Sequence, residues 1–428
     1  MQKRVLIITY YWPPSGGSGV QRWLKFAKYL PESGWDPVIF TPENPDFDLQ
    51  DESLENEIPA NLEVIKFPIW EPYQLFSKVK KSKTHPGRLL EQKDRGFLEK
   101  AAIWMRANLL VPDPRIFWVR PAVKFLADLA KSGQFQAVIT TGPPHSMHLI
   151  GLGLKRKSGL PWIADFRDPW TQWEFLDALP MSSLVKKRHQ KLEQEVLREA
   201  SAVMTISPTF QQDLEKLAHR KIKLLTNGYD PADLPVGFSP RQKKENELHL
   251  VYSGVIDSIR NPIPLLKALK EEFTGTGEKV KLTFVGNVSE SVREYVRENE
   301  WLASRVEFPG YVSHSEVFGY YAAADVLVLI LTNTKNAQGN IPGKLFEYLA
   351  AGVPVLALGD PQGDSAKILT EAGGGEVIRH EDFVKIQIAL RKLMDGDGES
   401  KSDAKIDRFS RRALAHDLAE ILDEHSLS

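Results

Sequence analysis

Cysteine is absent from all 428 residues, which excludes a disulfide framework and a thiolate metal site. A cysteine-free chain fits the reducing cytoplasm. A surplus of either charge is also missing: 55 Lys and Arg stand against 56 Asp and Glu. A general nucleic-acid binder needs basic excess to meet phosphates, so no nucleic-acid partner is expected. No apolar run approaches the ~18 residues of a membrane-spanning helix. Lys3 and Arg4 precede the apolar run Val5–Trp12, which imitates a short signal segment. Pro13, Pro14 and a glycine cluster follow it instead of a small-residue cleavage site, so the run reads as a first buried strand. The expectation is a protein in solution or lying on a surface.

What is present is alternation. Apolar, β-branched runs predict strands at Val5–Trp12, Val38–Phe40, Leu62–Phe67, Ala137–Thr140, Trp162–Ala164, Val203–Ile206 and Ile222–Leu225. Helical periods fall near Pro121–Lys131, Ser146–Lys157, Leu184–Ala200 and Phe210–Ala218. The stretch Asp230–Glu247 is proline-rich and polar and reads as a linker. Strands then resume at Leu248–Tyr252, Leu282–Val285, Val306–Phe308, Val326–Leu331, Val355–Leu358 and Glu376–Ile378. Ser313 followed by Glu316 is a capping-box signal for a helix toward Ala324. Strands this apolar are buried on both faces, so each half is a parallel sheet with helices on both sides. The expected domains are 1–230 with an insertion at about 70–118, a linker over 231–247, a second domain over 248–400, and a helical tail over 401–428. Ligands of such sheets bind at the carboxyl ends of strands.

Five clusters stand at those ends. Ser15–Gly19 lies between the first strand and its helix, where Gly17, Ser18 and Gly19 suit an anion at a helix start, or a plain flexible turn. A dinucleotide fingerprint is excluded, because Arg22 stands where its third glycine belongs and Thr41 where its acidic residue belongs. Trp162–Trp170 ends a strand in Asp165, Arg167 and Asp168, a site or a structural ion pair. Thr140–His145 puts His145 at a helix start, as a cap or a catalytic group. Ser253 and Gly254, then Arg260 before Pro262, suit a diphosphate, although Arg260 also fits a solvated surface charge. Ile341–Leu356 places Gly343, Lys344 and Glu347 at a helix start, the last two on one face. That pair is a phosphate and ribose site or a local salt bridge worth at most ~0.5 kcal/mol.

The last cluster resembles the C-terminal signature of the family-four, retaining, group 1 glycosyltransferases of GT-B type. Tyr11-Trp12-Pro13-Pro14 with the glycine loop, Asp165–Trp170, and Thr226–Asp230 resemble the bacterial polysaccharide-building members. The resemblance runs from about Arg4 to about Met394. It implies an α/β GT-B fold: two Rossmann-like, doubly wound domains facing a central cleft, with the nucleotide-sugar donor held mainly by the second. Glu347 matches the family's ribose-binding glutamate; Gly339 stands where a donor-sugar glutamate usually does, and Val255 where an arginine does. Tyr311 and Val312 match the loop beside the nucleotide base. Asp168, Arg167 and His145 are then the expected acceptor-side catalytic groups.

The leaving group is a nucleoside diphosphate, whose charge must be stabilised. Asp46-Phe47-Asp48 and Asp395-Gly396-Asp397 both lie in polar loops, so neither reads as a metal site, and no cofactor or metal is expected. The expected activity transfers a hexose from a UDP- or GDP-sugar to a glycan or lipid-linked acceptor, for cell-envelope polysaccharide. The rivals are a nucleotide-sugar epimerase of the same fold and a non-catalytic nucleotide-sugar-binding subunit. Lys78–Arg106 carries nine bases against Glu91, Asp94 and Glu99, with Trp104 and Met105 inside it. The stretch reads as a surface helical insertion, or as a patch that touches a lipid-linked acceptor or makes peripheral contact with an anionic membrane on its cytoplasmic face.

Overall fold

The computed structural model describes residues 3–47, 49–71, 97–397 and 406–426. They form two compact units, Met1–Thr226 with Arg411–Ser428, and Asn227–Ser410. No helix among them is long and apolar enough to cross a membrane.

The first unit is a seven-stranded parallel sheet. Its strands are β1 (Lys3–Ile8), β2 (Trp35–Pro42), β3 (Glu63–Phe67), β4 (Ala137–Gly142), β5 (Trp162–Phe166), β6 (Ala202–Thr205) and β7 (Lys223–Leu224), in the order β3-β2-β1-β4-β5-β6-β7. The second is a six-stranded parallel sheet of β8 (Glu247–Ser253), β9 (Lys279–Val285), β10 (Val306–Gly310), β11 (Val326–Ile330), β12 (Val355–Leu358) and β13 (Gly375–Ile378), ordered β10-β9-β8-β11-β12-β13. Each order reverses beside its first strand, so loops leaving the carboxyl ends on either side of the reversal diverge and open a crevice. Every strand expected from the apolar runs is present, and both units are Rossmann-like.

Three differences have physical causes. The first strand ends at Ile8, not Trp12, yet Tyr10 and Trp12 beyond it are buried, which explains why the run looked continuous. The helix expected from Pro121 begins earlier, spanning Ile116–Ala130. The N–H that Pro121 lacks would have met the carbonyl of Phe117, and Phe117 is 47% exposed, so the missing bond falls on the solvent side of the helix. The tail folds as a helix, Arg411–His425, whose Leu414, Leu418 and Leu422 join the core of the first unit with Trp23 and Trp35. Residues 231–247 are pinned to the second unit, where Arg241 Nε donates to Asp325 Oδ1 at 2.8 Å. Of the insertion, the helix Phe97–Leu109 is described. The basic cluster Lys78, Lys80, Lys81, Lys83 and Arg88 lies outside the described residues.

Candidate functional site

In the first unit the expected residues gather where β1, β4 and β5 end. Gly17 caps the helix Ser18–Tyr29 at φ 97°, a conformation that favours glycine. The N–H groups of Ser18 and Gly19 open that helix with no carbonyl ahead of them to bond, whereas Val20 N donates to the Gly17 carbonyl at 3.2 Å. Arg167 lies directly over this start: a methyl on Gly19 would come within 2.3 Å of Arg167 Nη1. The Arg167 N–H donates to the Gly142 carbonyl at 3.0 Å, and its Nη2 donates to the Pro143 carbonyl. Three strand-end loops therefore hold one guanidinium over a helix N-terminus, an arrangement suited to an anion.

Asp168 is half-buried on the same loop, and no hydrogen bond reaches its carboxylate among the described residues. Burial raises its pKa, the Arg167 charge opposes this, and Asp165 and Glu174 add to the rise. A carboxylate pushed toward neutrality and left unengaged has the properties of a general base.

His145 stacks flat on Trp170, with centroids 4.8 Å apart and planes at 2°. Both its ring nitrogens are shielded and without a partner among the described residues, and burial holds it neutral. It does not cap the helix Ser146–Ser158. Asp113 does so instead, accepting from Ser146 N at 2.8 Å and Ser146 Oγ at 2.9 Å. Asp165, three residues before Asp168, is wholly buried and bound to Arg22. The motif thus separates into a structural aspartate and a free one.

In the second unit, Gly254 ends β8 at φ +121°, and a methyl there would sit 3.0 Å from Lys344 Nζ. Lys344 donates to the Ser253 carbonyl at 2.7 Å and lies 3.8 Å from the Tyr252 ring centroid. Burial pushes the Lys344 pKa well down, the like charge of Arg260 adds to this, and Glu347 and Asp257 oppose it. Arg260 pairs with Asp257 at 3.0 Å and keeps about 29% of its side chain exposed. Glu347, three residues on from Lys344, accepts from Tyr321 OH at 3.2 Å and meets His314 Nε2 at 3.4 Å. Tyr321 OH in turn lies 2.8 Å from Ser253 Oγ. Gly343 caps the helix Lys344–Ala351, Tyr311 is exposed and Val312 is half-buried, all on strand-end loops. The capping box at Ser313 and Glu316 is formed. Asp395-Gly396-Asp397 is the end of a helix, with Gly396 as its left-handed cap.

Sequence reasoning missed Gly286, whose added methyl would lie 2.2 Å from the Gly254 carbonyl oxygen. The two glycines let β8 and β9 end in backbone contact. The available signal was a glycine placed directly after the apolar strand Leu282–Val285. His314 and Tyr321 were missed too, since helical spacing says nothing about which carboxylate a helix will face.

Comparison with known proteins decides the class. Residues 16–228 match the family described as glycosyl transferase 4-like domain, and residues 247–395 match glycosyl transferases group 1. The chain is a GT-B glycosyltransferase. No curated protein matches it. Solved structures with this fold include sucrose-phosphate synthase from Thermosynechococcus elongatus, at 14% identity and TM-score 0.66 over 99% of this chain and 98% of that one. HepE of Anabaena, solved with UDP-glucose, has 13% identity and TM-score 0.61 over 98% and 99%. The lipopolysaccharide outer core galactosyltransferase WaaB has 14% identity and TM-score 0.58 over 99% of each chain.

Proposed function

We propose that this glycosyltransferase takes a hexose from a UDP- or GDP-sugar, with retention and without a metal, and places it on a hydroxyl of a glycan or lipid-linked acceptor. The reading extends to cell-envelope polysaccharide synthesis at the cytoplasmic face of a membrane. The observation that carries the donor half is the Lys344 ammonium. It is desolvated, set beside the Arg260 guanidinium, and pressed against a glycine backbone. A diphosphate seated there relieves both the desolvation and the repulsion. HepE, solved in complex with UDP-glucose, and WaaB, described as a lipopolysaccharide outer core galactosyltransferase, support the substrate classes. Retention and the polysaccharide role rest on the motif resemblance.

In this reading the bond from the sugar anomeric carbon to the diphosphate oxygen breaks, and Lys344 and Arg260 take up the charge on the leaving diphosphate. Glu347 accepts hydrogen bonds from the ribose hydroxyls, while Tyr311 and Val312 flank the base and Gly254 and Gly343 admit the phosphates. Gly17, Ser18 and Gly19 add backbone N–H groups. The acceptor oxygen bonds to the anomeric carbon as its proton passes to Asp168, oriented by Arg167. His145 supports that loop from beneath through Trp170.

Two measurements check the donor half. Glu347→Ala should weaken nucleotide and nucleotide-sugar binding alike by about 10–150-fold, the equivalent of roughly 1.5–3 kcal/mol for a bond to a charged group. Equal affinity by calorimetry would remove Glu347 from the site. Turnover should persist in EDTA, because fixed cations stand in for a divalent ion; loss restored by manganese or magnesium would overturn metal independence. A panel of UDP- and GDP-sugars followed by thermal shift identifies the donor.

Membrane contact is supported by a second observation. The helix Ile116–Ala130 buries Trp118, Ala122 and Leu126, yet its solvent face carries Phe117 and Phe125, 47% and 39% exposed. Trp70, itself 51% exposed, packs on Phe117 with ring centroids 4.9 Å apart. Arg120 and Lys124 lie on the same face by helical spacing. Aromatics ringed by bases suit an anionic lipid surface, each base adding about 1 kcal/mol. Binding to anionic vesicles at low salt is expected, lost on Arg120→Glu with Lys124→Glu, and screened by added salt. Wild-type protein that ignores such vesicles would return the face to ordinary solvent exposure.

A further inference from the structure

The helix Ser183–Glu199 turns a polar pair inward. Its buried residues are His189, Glu193, Val196 and Leu197, and the first two are one helical turn apart. A buried glutamate is expensive unless its partners justify it. All the side-chain hydrogen bonds of this pair go to one place. Glu193 Oε1 accepts from Thr171 N at 3.3 Å, and Glu193 Oε2 accepts from Thr171 Oγ1. His189 Nδ1 accepts from Trp170 Nε1 at 3.0 Å. Trp170 is the residue on which His145 stacks, and Thr171 is three residues beyond Asp168. Burial pushes Glu193 up to about 7, and its bonds to Thr171 and Trp170 pull the other way. Burial also holds His189 down at about 4, so it remains a neutral acceptor.

The other side of the loop is held by backbone. Thr205 Oγ1 donates to the Phe166 carbonyl at 2.8 Å, and Arg167 N donates to the Gly142 carbonyl. These fix the start of the loop. Among the described side chains, His145 stacks on the Trp170 ring, and His189 and Glu193 hydrogen-bond to Trp170 and Thr171.

We propose that Glu193 and His189 are positioning residues, which clamp Trp170 and Thr171 so that the Asp168 carboxylate is held at the reacting hydroxyl. The inference rests on reading Asp168 as the proton acceptor. A base displaced by about 1 Å loses on the order of 10²-fold in rate, because geometry rather than basicity limits the proton transfer. Both clamp residues are buried, His189 at 2% and Glu193 at 1% exposed.

The test measures kcat, acceptor KM, nucleotide affinity and thermal unfolding for Glu193→Ala, Glu193→Gln, Thr171→Val and the Glu193→Ala/Thr171→Val double variant. Glu193→Ala should lower kcat by about 10²-fold with nucleotide affinity unchanged. Glu193→Gln should recover to within about tenfold of wild type, since its amide carbonyl accepts from Thr171 N–H and its NH2 donates to Thr171 Oγ1. The double variant should be no slower than Glu193→Ala, as expected for two ends of one contact. Equal kcat in Glu193→Ala and wild type overturns the clamp. So does a kcat loss in which Gln recovers nothing and activity only tracks the folded fraction. Asp168→Asn run alongside separates the two ideas: if it leaves transfer intact, the base assignment fails, whatever Glu193 does.

Discussion

Asp168→Asn is expected to lower turnover by about 10²–10⁴-fold, the usual worth of a positioned acid or base, while nucleotide affinity stays at the wild-type value. The substitution keeps shape and removes the charge, and with it the capacity to take a proton. Asp168 suits that role because burial raises its pKa and Asp165 and Glu174 raise it further, so its conjugate base is stronger than an exposed aspartate's. The Arg167 charge limits the rise. The sign of the pH dependence follows. A base works only when deprotonated, so the rate falls as pH drops through the raised pKa, and this acid limb vanishes in the Asn variant. Single-turnover rates across pH, with calorimetry for the nucleotide, read both quantities. A matching fall in nucleotide affinity would assign Asp168 to the donor or to the fold.

The fold was legible because parallel strands are buried on both faces. Runs such as Val326–Leu331 leave no polar alternation to confuse with an amphipathic helix, and the sheet order then follows from βα alternation. Boundaries were less legible where burial continues past the hydrogen-bond ladder, as at Tyr10 and Trp12, or where a proline sits inside a helix, as at Pro121. Residues were legible when spacing within one element decided them: Lys344 and Glu347 share a helix face at any register. Partners from distant segments were not. His314 and Tyr321 reach Glu347, Asp113 caps the helix after His145, and Glu193 holds Thr171, all through tertiary contact. His145 shows the limit from the other side. Its place at a helix start suggested a cap or a catalytic group, yet its contact is a ring face on Trp170, which no local pattern encodes.

Asp165→Ala should behave oppositely to Asp168→Asn and destabilise the first unit. Asp165 is 0% exposed, and so is its partner Arg22. Its oxygens accept from Arg22 Nη2 at 3.1 Å and Nε at 3.3 Å, from Trp23 Nε1 at 3.1 Å, and from Thr141 Oγ1 at 2.9 Å. Arg22 also donates to the Leu225 and Thr226 carbonyls at 2.9 and 2.8 Å, tying β5, the helix Ser18–Tyr29 and the end of the sheet together. Burial lowers the Arg22 pKa, Asp165 opposes that fall, and the like charge of Arg167 adds to it. Truncating Asp165 strands a guanidinium, an indole N–H and a hydroxyl away from water. Breaking a buried pair in this way costs about 3–5 kcal/mol. For a domain of this size that lowers the unfolding midpoint by roughly 10 °C. Differential scanning calorimetry on the variant, with and without nucleotide, gives the midpoint. An Asp165→Ala protein that melts with wild type but no longer transfers sugar would move Asp165 into the reacting site. The double change Asp165→Leu with Arg22→Met separates charge from packing, because removing both partners leaves no buried charge behind and should recover much of the lost stability.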